Sequence, residues 1–281
     1  MVQFNQGGGV GLGLKRELIA QVKNQIDISP ISFFEIAPEN WMGAGGLVAK
    51  QLDWFVANYP IVCHGLSLSL GSPDPLNISF LKNLKLFLEQ YQISLYTEHL
   101  SYCSAGGYLY DLLPIPMTVD AVHYVAARIR QTQDILERRI AIENASFYVA
   151  APISEMDEFE FLEAVLTEAD CDWHIDVNNI YVNSVNFGFD PQVFLERANK
   201  AGLGKRVVYG HVAGHYQEAP DLLIDTHGAS VIDPVWSLQA NAYRLLGVFP
   251  TLLERDTNIP PLSDLMPELL NIDRLQAEAN L

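Results

Sequence analysis

The sequence predicts an α/β chain: a (β/α)8 TIM barrel in a single domain over residues 1–281, with the barrel at about 8–258 and a short C-terminal helical extension at about 260–281. Three observations carry this expectation. Eight short runs are almost continuously apolar, the pattern of parallel strands buried on both faces. Amphipathic stretches with apolar residues at helical spacing lie between them. No linker, charge block or low-complexity tract interrupts the alternation.

In order, the predicted strands are GVGLGL from Gly9, ISFFEIAPEN from Ile31, IVCHGLSLSL from Ile61, ISLYTEHLSY from Ile93, RIAIENAS from Arg139, CDWHIDVNN from Cys171, RVVYGHVAG from Arg206 and FPTLLERD from Phe249. NISFLKNLKLFLEQY and TVDAVHYVAARIRQTQDILERR have helical spacing, and Ser154 with Asp157 resembles a capping box before EFEFLEAVLTEA. Asp190-Pro191 supplies a cap and a first-turn proline for QVFLERANKAG, which Gly202 ends; Asp233-Pro234 does the same for VWSLQANAYRLLG. Residues 101–116 and 213–228 read as long loops over the barrel mouth. The segment after Pro260 holds one more amphipathic helix, expected on the outside.

Seventeen basic against 34 acidic residues leave a formal charge of -17, a field that repels polyanions. Nucleic acid and anionic membranes are therefore not expected as partners. No run approaches the roughly 18 apolar residues of a membrane span, and no N-terminal segment is organised like a signal peptide, so a cytoplasmic location is expected. Cys63, Cys103 and Cys171 are odd in number, scattered and without CxxC spacing. They read as buried thiols, with neither a disulfide framework nor a thiolate zinc site.

Seven of the eight runs end in polar residues: Glu35; His64; Glu98 and His99; Glu143; Asp176, Asn178 and Asn179; His211; Glu254 and Asp256. Strand ends of a barrel converge on one pocket. Taken singly, His64 reads as a hydrogen-bonded core histidine, Glu35 as a cap of the following helix, and His123 as a mid-helix residue without a site role. Taken together, several buried carboxylates need cations, and Arg255 is the one basic residue at a strand end. A metal cluster supplies the missing charge, and carboxylate with imidazole suits Zn, Mn or Fe. In LLIDTHG, Asp225 and His227 alternate, so an extended loop projects both the same way. GHVAGH offers His211 at the strand end and His215 four residues on, the latter as a supporting or lid residue. In WHIDVNN, His174 shares a face with Asp176 one layer deeper, where a hydrogen bond to the site is expected.

These motifs, with FFEIAPENWMGAGG, VCHGLSLSLG, TEHLSY, AIENAS, GHVAGH, DTHG and LLERD spread over most of the chain, resemble the DUF692 (UPF0276) family. That family is grouped with multinuclear non-haem iron-dependent oxidative enzymes of the methanobactin-synthase-like kind, on a xylose-isomerase-like barrel. The resemblance implies two or three iron ions (Fe2+/Fe3+). His64, His99 and Glu143 would form a first site, with Glu143 bridging; Asp176, His211 and Glu254 a second; Asn179, Asp225 and His227 a third or exchangeable one. Around DVNN the chain keeps Asn179, where the methanobactin-forming branch is expected to differ. The resemblance also implies O2-dependent oxidation of a cysteine-containing, ribosomally synthesised precursor peptide delivered by a small partner protein. Glu98, Asn144 and His174 would orient ligands, and Asn40 and Tyr102 would wall the pocket. Two other readings remain open: a Zn- or Mn-dependent hydrolase or isomerase on the same barrel, and a non-catalytic metal-binding protein.

Overall fold

The computed structural model describes residues 7–25 and 27–281; residues 1–6 of the predicted domain lie outside the described residues. In chain order the strands are β1 (Val10–Gly13), β2 (Ile31–Ile36), β3 (Ile61–His64), β4 (Tyr96–His99), a hairpin of β5 (Tyr102–Ser104) and β6 (Tyr108–Leu113), β7 (Ala141–Glu143), β8 (Asp172–Asp176), β9 (Val207–Ala213), a hairpin of β10 (Tyr216–Ala219) and β11 (Leu222–Ile224), and β12 (Thr251–Glu254). All but the hairpin strands run parallel and close in the order β1-β2-β3-β4-β7-β8-β9-β12, the (β/α)8 barrel the sequence predicts.

The helices are α1 (Arg16–Asn24), α2 (Gly46–Asn58), α3 (Ile78–Gln90), α4 (Val119–Leu136), α5 (Glu158–Ala169), α6 (Val177–Phe187), α7 (Pro191–Lys200), α8 (Asp233–Leu246) and α9 (Leu262–Ala279). Their apolar faces pack on the outward faces of the strands in one continuous core, which includes Leu265, Leu269 and Ile272 of α9. From α9, Gln276 accepts from Gly9 N at 2.8 Å and donates to Gly9 O at 3.0 Å, so the last helix is tied to the start of β1.

The barrel interior explains where the site sits. Strand side chains alternate with a period of two, so inward residues come in layers. One layer contains Phe33, Val62, Tyr209 and Leu252, which cluster apart from the outer core. Two residues further along the same strands come Glu35, His64, His211 and Glu254. The same step leads from Thr97 to His99, from Ala141 to Glu143 and from His174 to Asp176. A mostly apolar floor, with Thr97 and His174 as its polar members, thus supports a polar layer built from seven strands. β1 contributes space instead: a Cβ on Gly11 would collide with the Phe33 ring.

Several local expectations shift. The capping box before α5 is Asp157 with Glu160, not Ser154 with Asp157; Ser154 Oγ instead accepts from Met117 N at 3.3 Å. Asp233 is already inside α8, whose capping residue is Ile232 with no side-chain bond. Asn178 and Asn179 do not prolong β8. Asp176 ends that strand and caps α6 by accepting from Asn179 N at 2.6 Å. Each long mouth loop folds into one of the hairpins. Cys63, Cys103 and Cys171 are buried and free, and His123 is surface-exposed on Glu168 at 2.8 Å. Among the described residues no helix is long and apolar enough to cross a membrane.

Candidate metal centre

Glu143 occupies the middle of the polar layer. Its Oε2 lies 3.2 Å from both His64 Nε2 and His99 Nε2, which are 3.1 Å from each other. Its Oε1 lies 3.3 Å from His211 Nδ1, which is 3.0 Å from Glu254 Oε2 and 3.9 Å from Asp176 Oδ2. Beyond Glu254, His227 Nδ1 lies at 3.4 Å, and His227 Nε2 is 2.7 Å from Asp225 Oδ1. Ligand atoms held at about 2.1 Å around a common ion are separated by about 3.0–3.4 Å, the spacing found here. Three overlapping groups of donors result: His64, Glu143 and His174; Glu143, Asp176 and His211; Asp176, His227 and Glu254.

The aim of these atoms is more telling than their distances. Each of four histidines has one ring nitrogen committed to the wall. His64 Nδ1 lies 2.6 Å from Thr97 Oγ1, and His99 Nδ1 donates to Gly65 O at 3.0 Å. His211 Nε2 donates to Glu35 at 2.8 Å, and His227 Nδ1 to Asp256 at 3.2 Å. These bonds fix which nitrogen is left to face the cluster. Among the described residues, the cluster-facing Glu143 Oε2, Asp176 Oδ2, Asn179 Oδ1, His211 Nδ1, His227 Nε2 and Glu254 Oε2 are buried and, where they meet charged neighbours, do so only at ion-pair distances, without an aligned hydrogen bond. Buried polar atoms are ordinarily satisfied, so their convergence without aligned mutual hydrogen bonds fits donors directed at ions.

The charges agree with this fit. Burial opposes ionisation of Glu143, but His64, His174 and His99 hold its carboxyl well below the usual range. Against burial, Glu143 pushes His64 up to about 9, whereas burial and His64 lower His99 to about 4. Burial and the negative charges of Glu143 and Asp225 push Asp176 well above the ordinary range, a conflict that a bound cation reverses.

Around the donors, Asn144 pins β8 to β7: its Oδ1 accepts from Trp173 Nε1 and Asp176 N, both at 3.0 Å, and its Nδ2 donates to Asp176 O at 2.8 Å. Glu98 points away from the barrel, accepting from Tyr96 OH at 2.6 Å and Leu68 N at 3.3 Å; burial and Glu39 raise its carboxyl to about 7. A Cβ on Gly65 would run into Glu98 and Tyr96, so glycine lets the loop bearing the His99 acceptor close down. His215 acts at one remove, with Nδ1 2.7 Å from Asn178 Oδ1, while Asn178 Nδ2 donates to Asp225 at 2.8 Å.

Other residues depart from expectation. His174 is a layer deeper, but neither ring nitrogen is hydrogen-bonded; Nε2 faces Glu143 Oε1 at 3.9 Å, which places it beside the donors. Asp225 and His227 meet, although through a left-handed backbone at His227 (φ 48°) rather than an extended loop. Asn40 is exposed at the end of a tight turn and Tyr102 packs on the core, so neither lines the cavity over the site. That cavity, about 330 Å³, is bounded by His64, His99, Tyr110, Tyr148, His227 and Glu254.

Glu35 has a different role from the helix cap expected of it, and Lys15 carries no expectation in the sequence. Glu35 accepts from Tyr209 OH at 2.7 Å and from His211, so it orients a donor rather than capping a helix. Lys15, just past β1, brings a cation to the rim on Asp256. Arg255 is already occupied by Glu268 at 2.8 Å. Glu35→Gln is expected to leave the number of bound metals unchanged while weakening their affinity about 10–100-fold, as read by competition with a chromophoric chelator.

Residues 9–277 match the sequence profile of RiPP precursor modification enzymes MbnB/TglH/ChrH. A UPF0276 protein of Nitrosospira multiformis is 59% identical over 278 residues, covering 99% of this chain and 96% of its own length. One from Neisseria meningitidis serogroup B is 49% identical over 271 residues, covering 96% and 95%. Among solved structures, endonuclease IV from Thermus thermophilus aligns with a TM-score of 0.62 at 14% identity, covering 96% of this chain and 99% of that one. D-allulose 3-epimerase from Methylomonas sp. aligns at 0.58 and 15% identity, covering 99% and 96%. Those two likenesses are of fold. With the profile match and the close relatives, the chain belongs to the MbnB/TglH/ChrH (UPF0276) family of RiPP precursor modification enzymes.

Proposed function

We propose that this chain oxidises cysteine residues of a ribosomally synthesised precursor peptide with O2, using two or three iron ions. His64, His99, Glu143, Asp176, Asn179, His211, Asp225, His227 and Glu254 would hold them. The observation that carries the reading is the set of buried donors, no thiolate among them, several of whose ligand atoms converge without an aligned hydrogen bond. Bound iron would supply one-electron chemistry towards O2 and a site for a substrate sulfur.

The chain's own part is ligation, orientation and enclosure. Glu35, Thr97, Gly65 O and Asp256 set the imidazoles, and Asn144 sets Asp176. Tyr110 and Tyr148 flank the mouth cavity, where a flexible peptide can present a thiol. A small partner protein would bring the precursor to that mouth. The reading places the protein in the cytoplasm, where iron(II) and the free thiols Cys63, Cys103 and Cys171 stay reduced.

The test is oxygen consumption by anaerobically iron-loaded protein mixed with a cysteine-bearing peptide, together with the mass of the peptide product. Oxygen uptake with a loss of hydrogen mass from the peptide, both absent with the Cys→Ser peptide, is expected. Turnover supported by zinc alone and indifferent to O2 would point to a hydrolase or isomerase, and no turnover with any metal to a binding protein; either overturns the proposal.

A further inference from the structure

Behind the loop that follows β7 lies a second, separate recess. Successive residues of this loop face two different spaces: Ser146 and Tyr148 line the cavity over the metal centre, while Phe147 and Val149 line an apolar cavity of about 290 Å³. One wall, a few residues thick, therefore divides the two. Met117, Phe187 and Phe189 complete the apolar side, with the Phe147 and Phe187 ring centres 4.5 Å apart. An adjoining cavity of about 200 Å³ runs on past Phe189 towards Val193.

At the junction of these cavities is Glu158, the first residue of α5. Oε1 accepts from Asn183 Nδ2 at 2.9 Å, whereas Oε2 is shielded from solvent and has no hydrogen-bond partner. Among the described residues it has no ion pair. The nearby Arg197 is taken by Asp157 at 2.6 Å and by Glu160 at 3.7 Å. Burial raises the Glu158 carboxyl to about 8, against the hydrogen bond from Asn183. A carboxyl oxygen left without a partner between two apolar cavities is costly unless something completes it. The metal centre does not use it.

We infer that this recess is a subsite for a lysine or arginine side chain of the substrate peptide, close in sequence to the residue that reaches the metal centre. The aliphatic stem would lie on Phe147, Phe187 and Met117, and the cationic head would meet the Glu158 carboxyl where that side chain borders both cavities. Long basic side chains join an apolar stem to a charged end, the same sequence of chemistries as the recess. The formal charge of -17 also favours a basic peptide. Position follows from the dividing wall: a peptide with one residue in the mouth cavity crosses Tyr148 and Val149 to place a neighbour in the recess. The inference rests on the peptide-substrate reading above and assigns it a specificity element.

The test uses acetylated, amidated peptides with one cysteine and one lysine separated by one to four glycines, titrated onto iron-loaded protein without oxygen. Each has a twin with norleucine, which keeps the stem and loses the charge. At one spacing or more, the lysine peptide is expected to bind about tenfold tighter than its twin. Glu158→Gln should bring the two to parity with the metal content unchanged. Equal binding of lysine and norleucine peptides at every spacing, or discrimination that survives Glu158→Gln, overturns the subsite. Serine-for-cysteine twins separate the two ideas: if they bind as tightly as the cysteine peptides, it is the thiol reading of the metal centre that fails.

Discussion

Replacing Glu143 with alanine is expected to remove two metal ions per chain, not one. Its two oxygens face different donors, Oε2 the pair His64 and His99 at 3.2 Å, and Oε1 His211 at 3.3 Å. Alanine would leave the first group with imidazoles alone and the second without its shared carboxylate, in a barrel interior too buried to offer solvent as a substitute. Asp225→Ala, at the outer edge beside His227, should cost at most one ion. Glu35→Gln should cost none, because Glu35 touches the cluster only through His211. Metal per chain after anaerobic loading and desalting measures all three. Equal losses from Glu143→Ala and Glu35→Gln would contradict the bridging role.

Removing the metal is expected to lower the melting temperature on the order of 10 °C. Glu143, Asp176, His211 and Glu254 are buried within a few ångströms of one another, each with a bare atom. Protonated imidazoles such as His64 can offset part of the carboxylate charge, but they leave the geometry unsatisfied. Metal at a thousand times its dissociation constant stabilises a site by about 4 kcal/mol. For a chain of this size each kcal/mol moves the melting point by about 2–4 °C. Calorimetry of the loaded protein, with and without chelator, measures the shift. Identical melting in both conditions would contradict the view that the donors exist for ions.

Much of this was legible in the sequence because two regularities coincide. Near-continuous apolar runs mark parallel strands, and a barrel gathers their C-terminal ends. His64, His99, Glu143, Asp176, His211 and Glu254 could therefore be placed on one rim without knowing any contact. The same alternation put His174 one layer down. Glu35 was not legible in its role, since its partner His211 is 176 residues away and only barrel closure joins them. DVNN reads as a strand end because its apolar run continues, yet Asp176 caps α6 at that point and turns Asn179 inward as part of a helix. The capping box before α5 was missed by three residues because Ser154 and Asp157 are both good caps, and only the reciprocal bonds of Asp157 and Glu160 decide between them. Glu158 gave no signal at all. An acid in the first turn of a helix is ordinary, and only the surrounding cavities make its bare oxygen notable.

The measurement that bears most directly on the central claim is Mössbauer spectroscopy of protein loaded with 57Fe without oxygen, partly oxidised, and paired with an iron count per chain. The expected result is two or three irons per chain, at least two of them magnetically coupled through the shared Glu143 carboxylate. A single iron, or several that behave as isolated ions, would contradict a bridged cluster at the barrel mouth.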